Sequence, residues 1–402
     1  MRSIMDLKQK NLLDILTVIQ IHGPISKPDI AIMANVSTVT AHNFISELEK
    51  AGIVVSSGVK KSNGGRKAVL YKTNPDYGCI IGVNHGRSMI TTSIYDLSLN
   101  AMYVNRIEAD LTKSGDSIEN IKMEITEAIS KSGVSKDKVL GVGITLPGQI
   151  DHGGGVVNSM FDLTNWDNTP LQSIMEKSLG LPICVYNDNR ANVISCKWLN
   201  KIRESANAVY ISVGDGVGAG VMINGEVFSG SHSFAGELGH LSVRGNKTKC
   251  QCGKVGCVET IACNANIIRQ VAKKLDFSSM KDRPANACVN EIIQMAKGKN
   301  NDVYEIIKEA VQNIIYIVDS VIKVYDPDKI IIYNPWLLHF DELFNELIET
   351  VFAQCKWLKK NTLSIELDAS EVIDSYGPAS IVLENLFNYN AENRIILRMD
   401  AI

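Results

Sequence analysis

The sequence predicts an α/β protein of two parts, a winged helix-turn-helix at the N-terminus and a two-lobed α/β body behind it. Three observations carry this expectation. Two short helices joined by a tight turn precede a basic, glycine-rich hairpin within residues 1–78. Beyond Cys79 strands alternate with helices, and Gly, Asp and Asn collect at the strand ends. A compact cluster of one histidine and three cysteines sits between two glutamates in residues 236–259.

The N-terminal part follows from pattern and charge. Residues 7–21 place Leu12, Leu13, Leu16 and Ile19 on one face of a helix that His22-Gly23-Pro24 ends. Ser26 caps a short helix over 27–34, and Asn35-Val36 make the turn. Ser37 caps a third helix over 38–51, expected to turn Val39, Phe44, Ile45 and Leu48 inward and to leave Thr38, Thr40, His42 and Asn43 on the polar side. Two strands then flank a tip containing Lys60, Lys61, Gly64, Gly65, Arg66 and Lys67, whose glycines allow close approach to phosphates and whose cations release counterions. Net charge is −3 overall, but residues 1–78 hold ten Lys and Arg against six Asp and Glu, so this module is +4 and the rest is −7. A basic module that meets DNA, on an acidic body that does not, is the expected division.

Asn74-Pro75-Asp76-Tyr77-Gly78 punctuates the chain and sets the expected boundary. Strands are expected at 79–83, 90–95, 139–145, 183–186, 208–213 and 329–333, and helices at 117–132 and 377–387. The run Gly214-Asp215-Gly216-Val217-Gly218-Ala219-Gly220 reads as a glycine loop after its strand. With 402 residues, 45% hydrophobic and 21% charged, the chain can bury two or three cores. The start MRSIMDLKQKNLL lacks the apolar core of a secretory signal, and the nine cysteines are expected as reduced thiols in the cytoplasm. The longest apolar runs fall far short of the roughly 20 residues that cross a bilayer, so no membrane role is expected.

His240, Cys250, Cys252 and Cys257 form the closed ligand set of a structural Zn2+. One residue separates the first two cysteines, and Gly253 and Gly256 let the backbone fold back so that Cys257 returns to the same ion. The alternative is three free thiols beside an unrelated histidine. As a rigid knuckle the cluster would fix Glu237 and Glu259 on either side of it while the metal stays coordinatively full.

The run GVGAGVMINGEVFSGSHSFAGELGH followed by CQCGKVGCVE is similar to the signature of the ROK family (repressors, open reading frames and sugar kinases). Asn187-Asp188, Pro147-Gly148 and Trp166 fall in the family's order, so the chain resembles its repressor branch over nearly its whole length. The resemblance implies an actin-like, ribonuclease-H-like body in two lobes, 79–200 with 376–402 and 201–375, behind the winged helix at 1–78. It also implies that Asp188 stands where the kinases keep their general base, and that Glu237, His240 and Glu259 hold sugar hydroxyls. Asp162, four residues before Trp166, stands where the family usually has a sugar-binding asparagine, beside Asn187 in the expected effector site. Three positions depart from the kinases: the first strand turn reads Asn84-His85-Gly86-Arg87-Ser88, Asp215 replaces a threonine of the second phosphate loop, and Tyr333-Asn334-Pro335 replaces a glycine turn. Phosphoryl transfer rests on positioning and charge neutralisation at such loops, so the chain is expected to bind a monosaccharide or derivative without phosphorylating it. The expected partners are a palindromic operator and a second copy of the chain, as homodimer or homotetramer. The alternatives are a sugar kinase with an appended DNA-binding domain and a dimerising scaffold.

Overall fold

The structure, a computed structural model, describes residues 4–59, 68–151, 153–160, 163–202, 207–276, 280, 283, 285–298, 300–358, 362–369, 373–391 and 395. The chain forms two compact units, residues 1–201 with 372–402, and residues 202–371.

In the first unit, α1 (Ile4–His22) buries Leu12, Leu13, Ile15, Leu16 and Ile19, apolar residues recurring at three- and four-residue steps. Strand β1 (Ile25–Ser26) leads into α2 (Lys27–Met33), with Ser26 as its cap. Asn35 turns the chain in the left-handed region at φ 52°. Ser37 then caps α3 (Thr38–Lys50), its hydroxyl accepting from the Thr40 N–H at 3.0 Å. Strands β2 (Val54–Val59) and β3 (Val69–Thr73) join β1 in an antiparallel sheet of order β1-β3-β2. This N-terminal module is hydrogen-bonded to the rest of its unit. Thr17 of α1 donates to the Phe387 carbonyl at 3.5 Å, Ser98 donates to the Thr73 carbonyl at 3.2 Å, and Lys138 Nζ donates to the Asp76 carbonyl at 3.0 Å.

The main sheet of this unit starts with the meander β4 (Cys79–His85), β5 (Met89–Asp96) and β6 (Ala101–Glu108). After α4 (Ser114–Ser132), β7 (Val139–Leu146) pairs parallel to β4. The short pair β8 (Gln149–Asp151) and β9 (Val156–Ser159) precedes α5 (Leu171–Leu179), and β10 (Ile183–Asn187) then pairs parallel to β7 and runs into α6 (Asp188–Trp198). The order is β10-β7-β4-β5-β6. The C-terminal helix, Ile373–Phe387, lies against this sheet. It gets close because Gly82 and Gly143 face it: a Cβ at Gly143 would stand 1.8 Å from the Pro378 carbonyl oxygen. Glu384 of that helix is nearly buried, and it accepts from Lys197 Nζ at 2.9 Å and Trp198 Nε1 at 2.9 Å, both on α6.

In the second unit, β11 (Ala208–Val213), β12 (Val217–Ile223) and β13 (Glu226–Val227) form an antiparallel meander. The expected glycine loop therefore ends at Gly216. Residues 217–220 are strand because Val217, Ala219 and Val221 alternate into the core and leave Gly218 and Gly220 on the other face. Helices α7 (Glu259–Ala262), α8 (Asn264–Lys274), α9 (Ala285–Lys297) and α10 (Asn301–Tyr325) come next in the chain. They are succeeded by β14 (Lys329–Tyr333), α11 (Asp341–Gln354) and β15 (Ser364–Leu367), the two strands adding parallel to β11 in the order β13-β12-β11-β14-β15. Ile307, Ile314, Val318 and Val321 of α10 are buried against Ile330 and Ile332. Among the described residues no helix is long and apolar enough to cross a membrane.

Candidate functional site

Helix α3 presents its polar face to solvent. Thr38, His42 and Asn43 are exposed, while Ser37 and Thr40 share a hydroxyl hydrogen bond of 2.8 Å that supports the cap. Lys27 Nζ donates to His42 Nδ1 at 3.3 Å, which leaves the neutral imidazole carrying its proton on Nε2. One expectation fails here. Val39 is 68% exposed, and Ala41 takes the buried position with Phe44, Ile45 and Leu48. Val39 stands nine residues before Leu48, about half a turn off the buried face at 3.6 residues per turn. The basic tip, with Lys60, Lys61, Gly64, Gly65, Arg66 and Lys67, lies outside the described residues.

The second unit builds the knuckle between β13 and α7. Gly236 holds the preceding turn against β12: its φ is 95° and a Cβ there would lie 1.9 Å from the Ala219 carbonyl oxygen. That contact sets the short turn Leu238–His240. The Cys250 N–H donates to the Lys254 carbonyl at 2.8 Å and Gly253 N–H to the Cys250 carbonyl at 3.0 Å, folding the loop back. Asn246, which the sequence pattern does not single out, pins the return, its Nδ2 donating to the Cys257 carbonyl at 3.0 Å and to Thr260 Oγ1 at 2.9 Å. The ligand atoms of His240, Cys250, Cys252 and Cys257 all lie within 4.8 Å of one another. Cys252 and Cys257 sulfurs are 3.6 Å apart, and Cys250 Sγ is 3.7 Å from His240 Nδ1. A tetrahedral zinc with Zn–S near 2.3 Å sets neighbouring ligand atoms about 3.6–3.8 Å apart, so the set fits such an ion.

Burial and crowding set the titration of these groups. Burial, and then the thiols of Cys252 and Cys250, push the Cys257 thiol up, and burial also raises Cys250. Cys252 goes the other way: against burial, the Lys254 N–H and its neighbouring thiols favour its thiolate. Burial lowers His240, with Glu259 opposing, so a neutral imidazole faces the thiols. Cys250 and Cys257 are thus held as thiols, and a dication bound by them with Cys252 and the neutral histidine would displace their protons.

Two of the expected effector residues, Glu237 and Glu259, stand beside this frame. Glu237 Oε2 is 3.7 Å from His240 Nε2, the ring nitrogen opposite the one facing Cys250. Glu259 opens α7, and its Oε2 accepts from the Val217 N–H at 3.1 Å, so one of its oxygens holds β12. Glu237, His240 and Glu259 thus share one rigid setting in the second unit. Asn187 and Asp188 belong to the first unit, at the junction of β10 and α6. Asn187 caps α6, accepting from the Asn189 and Arg190 N–H groups at 3.0 and 3.2 Å, while its Nδ2 donates to the Gly148 carbonyl at 2.9 Å. Its polar atoms are committed to backbone. Asp188 Oδ1 accepts from Asn189, and Asp162 lies outside the described residues.

Asn84, Asp215 and Asn334 are internally bonded. Asn84 Oδ1 accepts from the Thr145 hydroxyl at 2.8 Å. Asp215 accepts from Asn264 Nδ2 at 3.0 Å, and Asn264 Oδ1 accepts from Trp336 Nε1 at 3.0 Å, with Trp336 fully buried. Asn334 donates to the Val213 carbonyl at 2.9 Å and accepts from the Leu337 N–H at 2.9 Å. No sequence signal marks these roles of Asn264 and Asn334; each sits at a strand end or helix start, where a short amide side chain serves backbone.

Residues 80–376 match the ROK family. The chain belongs to that family. Its ROK body has the mixed α/β sheets of an actin-like, kinase-type fold, and relatives extend the likeness beyond the body. A xylose repressor of Caldicellulosiruptor bescii is 28% identical over 393 residues, covering 95% of this chain and 98% of the relative. The crystal structure of a ROK family transcriptional regulator, a homologue of the E. coli Mlc protein, superposes with TM-score 0.78 at 23% identity over 96% of this chain and 98% of that one. A ROK glucokinase from Streptomyces griseus, solved with glucose and AMPPNP, superposes with TM-score 0.62 at 20% identity over 76% of this chain and 99% of the kinase. At these identities the structural likenesses establish the fold.

Proposed function

We propose that this ROK chain is a sugar-responsive transcriptional repressor of carbohydrate-utilisation genes, with a winged helix-turn-helix at 1–78 that binds a palindromic operator. The observation that carries the reading is the extent of the likeness. It runs to 96% of the chain with a ROK regulator and to 95% with a repressor, but to 76% with a whole glucokinase. The exposed, capped face of α3 and the +4 charge of residues 1–78 support DNA as the partner. In this reading the basic tip supplies phosphate contacts through Lys60, Lys61, Arg66 and Lys67. In this reading the residues that hold a monosaccharide or derivative are Asp162, Asn187, Asp188, Glu237, His240 and Glu259, because carboxylates and amides pair with ring hydroxyls and a mismatched epimer leaves such groups unpaired. A structural zinc on His240, Cys250, Cys252 and Cys257 keeps the second-unit part of that set in place. The protein acts in the cytoplasm as a homodimer or homotetramer, since two heads are needed for two half-sites.

The same chain does not transfer phosphate. Asn84, Asp215 and the Asn334-Pro335 turn are each occupied by local hydrogen bonds, and Asp215 adds negative charge where a triphosphate would need the opposite. The deciding experiment is a thermal-shift screen of monosaccharides and their phosphates, each with and without MgATP, followed by a search for sugar phosphate. The expected result is stabilisation by one sugar class, indifference to MgATP and no product. Sugar phosphate formed by the native protein and abolished by Asp188→Ala would replace this reading with the kinase.

A further inference from the structure

Helix α3 sends Ala41, Phe44, Ile45 and Leu48 into the core of its module. The opposite face carries Val39, His42, Asn43 and Ser46, which recur at i, i+3, i+4 and i+7 and so form one stripe about 11 Å long at 1.5 Å per residue. Three members of the stripe are polar. Val39 is apolar and mostly exposed. A β-branched residue in the first turn does not favour the helix, and an exposed isopropyl group gains nothing from water. A single exposed apolar side chain is ordinary on a protein surface. This one stands inside the stripe that a DNA-binding mode lays along base edges, on a helix with no carboxylate before Glu47, in a module of net charge +4.

Resting on the DNA-binding reading, we propose that Val39 is a specificity-determining residue that packs against the 5-methyl group of thymine, with Asn43 reading an adenine beside it. In the major groove thymine is the base that presents a methyl group, so a side chain with only carbon atoms discriminates it from cytosine by contact alone. Asn43 lies one turn further on, and its amide offers the acceptor and donor that match adenine N6 and N7. Cβ atoms at i and i+4 are roughly 6 Å apart, which spans about two base steps of 3.4 Å. His42 lies between them. Lys27 occupies its Nδ1, so Nε2–H is the group left to donate, and it suits a purine N7 or a thymine O4. Ser37 and Thr40 are engaged with each other and with the helix N-terminus, which assigns them to the cap and leaves the base edges to Val39, His42 and Asn43. The operator half-site is therefore rich in A·T pairs where α3 enters.

The test uses the full-length protein and a randomised DNA duplex pool. Sites are selected from the pool, and binding of the selected duplex is then measured with each thymine replaced in turn by deoxyuridine, which removes the methyl and leaves base pairing intact. One thymine per half-site is expected to matter, its replacement weakening wild-type binding roughly fourfold, the worth of one buried methyl group. Val39→Ala should bind both duplexes alike, and Val39→Thr, which keeps one methyl, should fall between. Wild-type protein indifferent to every deoxyuridine, or Val39→Ala still sensitive to the same one, overturns the assignment while leaving DNA binding standing. Failure to enrich any duplex overturns the DNA-binding reading and this inference with it. Ile32 and Met33 of α2 are also exposed. If they and Val39 instead formed a protein-docking patch, deoxyuridine would be silent and Val39→Ala would change the sedimentation coefficient, a result that also overturns the proposal.

Discussion

The two main sheets share one topology, a three-strand meander extended by two parallel strands, β6-β5-β4-β7-β10 in one unit and β13-β12-β11-β14-β15 in the other. One layer over the first sheet differs from that over the second, although other residues of the first, such as Ile81 and Ile144, pack with Ile121 and Ile125 of α4. The first brings the backbone of its C-terminal helix onto glycines, with no side chain between Gly143 and the Pro378 carbonyl. The second faces α8–α11 with Val209, Ile211, Ile330 and Ile332, side chain against side chain. Strand order is set by backbone hydrogen bonds and is indifferent to side-chain size, whereas tolerance to substitution depends on what fills the layer above. Backbone on backbone leaves no rotamer to adjust; interlocked branched side chains can shift.

Four measurements break or sharpen this contrast. The largest effect is expected from Cys252→Ser. Zinc content should fall from one per chain to none, and the second unit should lose on the order of 3–5 kcal/mol, read as an early calorimetric transition with the first unit unmoved. A single unchanged transition with no zinc in the native protein would refute the zinc site. Gly143→Ala should cost about 3 kcal/mol or more and appear in the first unit, because the added carbon meets backbone. Glu384→Gln removes the charge that Lys197 and Trp198 share while keeping the shape. It should cost about 1–2 kcal/mol by chemical denaturation. Ile330→Val, a deletion of one methylene in the second core, should cost only about 1 kcal/mol. If Ile330→Val proved as damaging as Gly143→Ala, the two covers would not differ in their tolerance of change.

Much of the fold is legible in the sequence, and the failures have physical causes. Helices α1 and α3 and strands β4, β7, β11 and β14 announce themselves through apolar periodicity or short apolar runs between turn residues. Strand β12 does not, because Gly218 and Gly220 leave one face bare and, with the small Ala219 between them, imitate a loop. The knuckle is readable because thiolates and imidazole at that spacing have few other uses. Hydrophobicity alone misplaces Val39; the period fixed by Phe44, Ile45 and Leu48 already puts it on the far side. The family resemblance offers Asn187 as an effector residue, and its helix-capping role, which depends on the strand-to-helix junction, is seen only in the fold. Asn246, Asn264 and Glu384 act across distances in sequence that local pattern does not span.

The cover of the first sheet is also made after every other helix among the described residues. Residues 202–371 form a continuous segment that can complete its own unit as it leaves the ribosome, while β4 and β7 wait with their glycine strip bare for Ile373–Phe387. At 5–20 residues per second the delay from β7 to the end of that helix is roughly 10–50 s. A chain interrupted in this window would own a finished second unit and an unroofed first one, with Thr17 of α1 lacking the Phe387 carbonyl it meets in the whole molecule. Vectorial synthesis thereby secures the first unit, N-terminal module included, only after the second unit has been made.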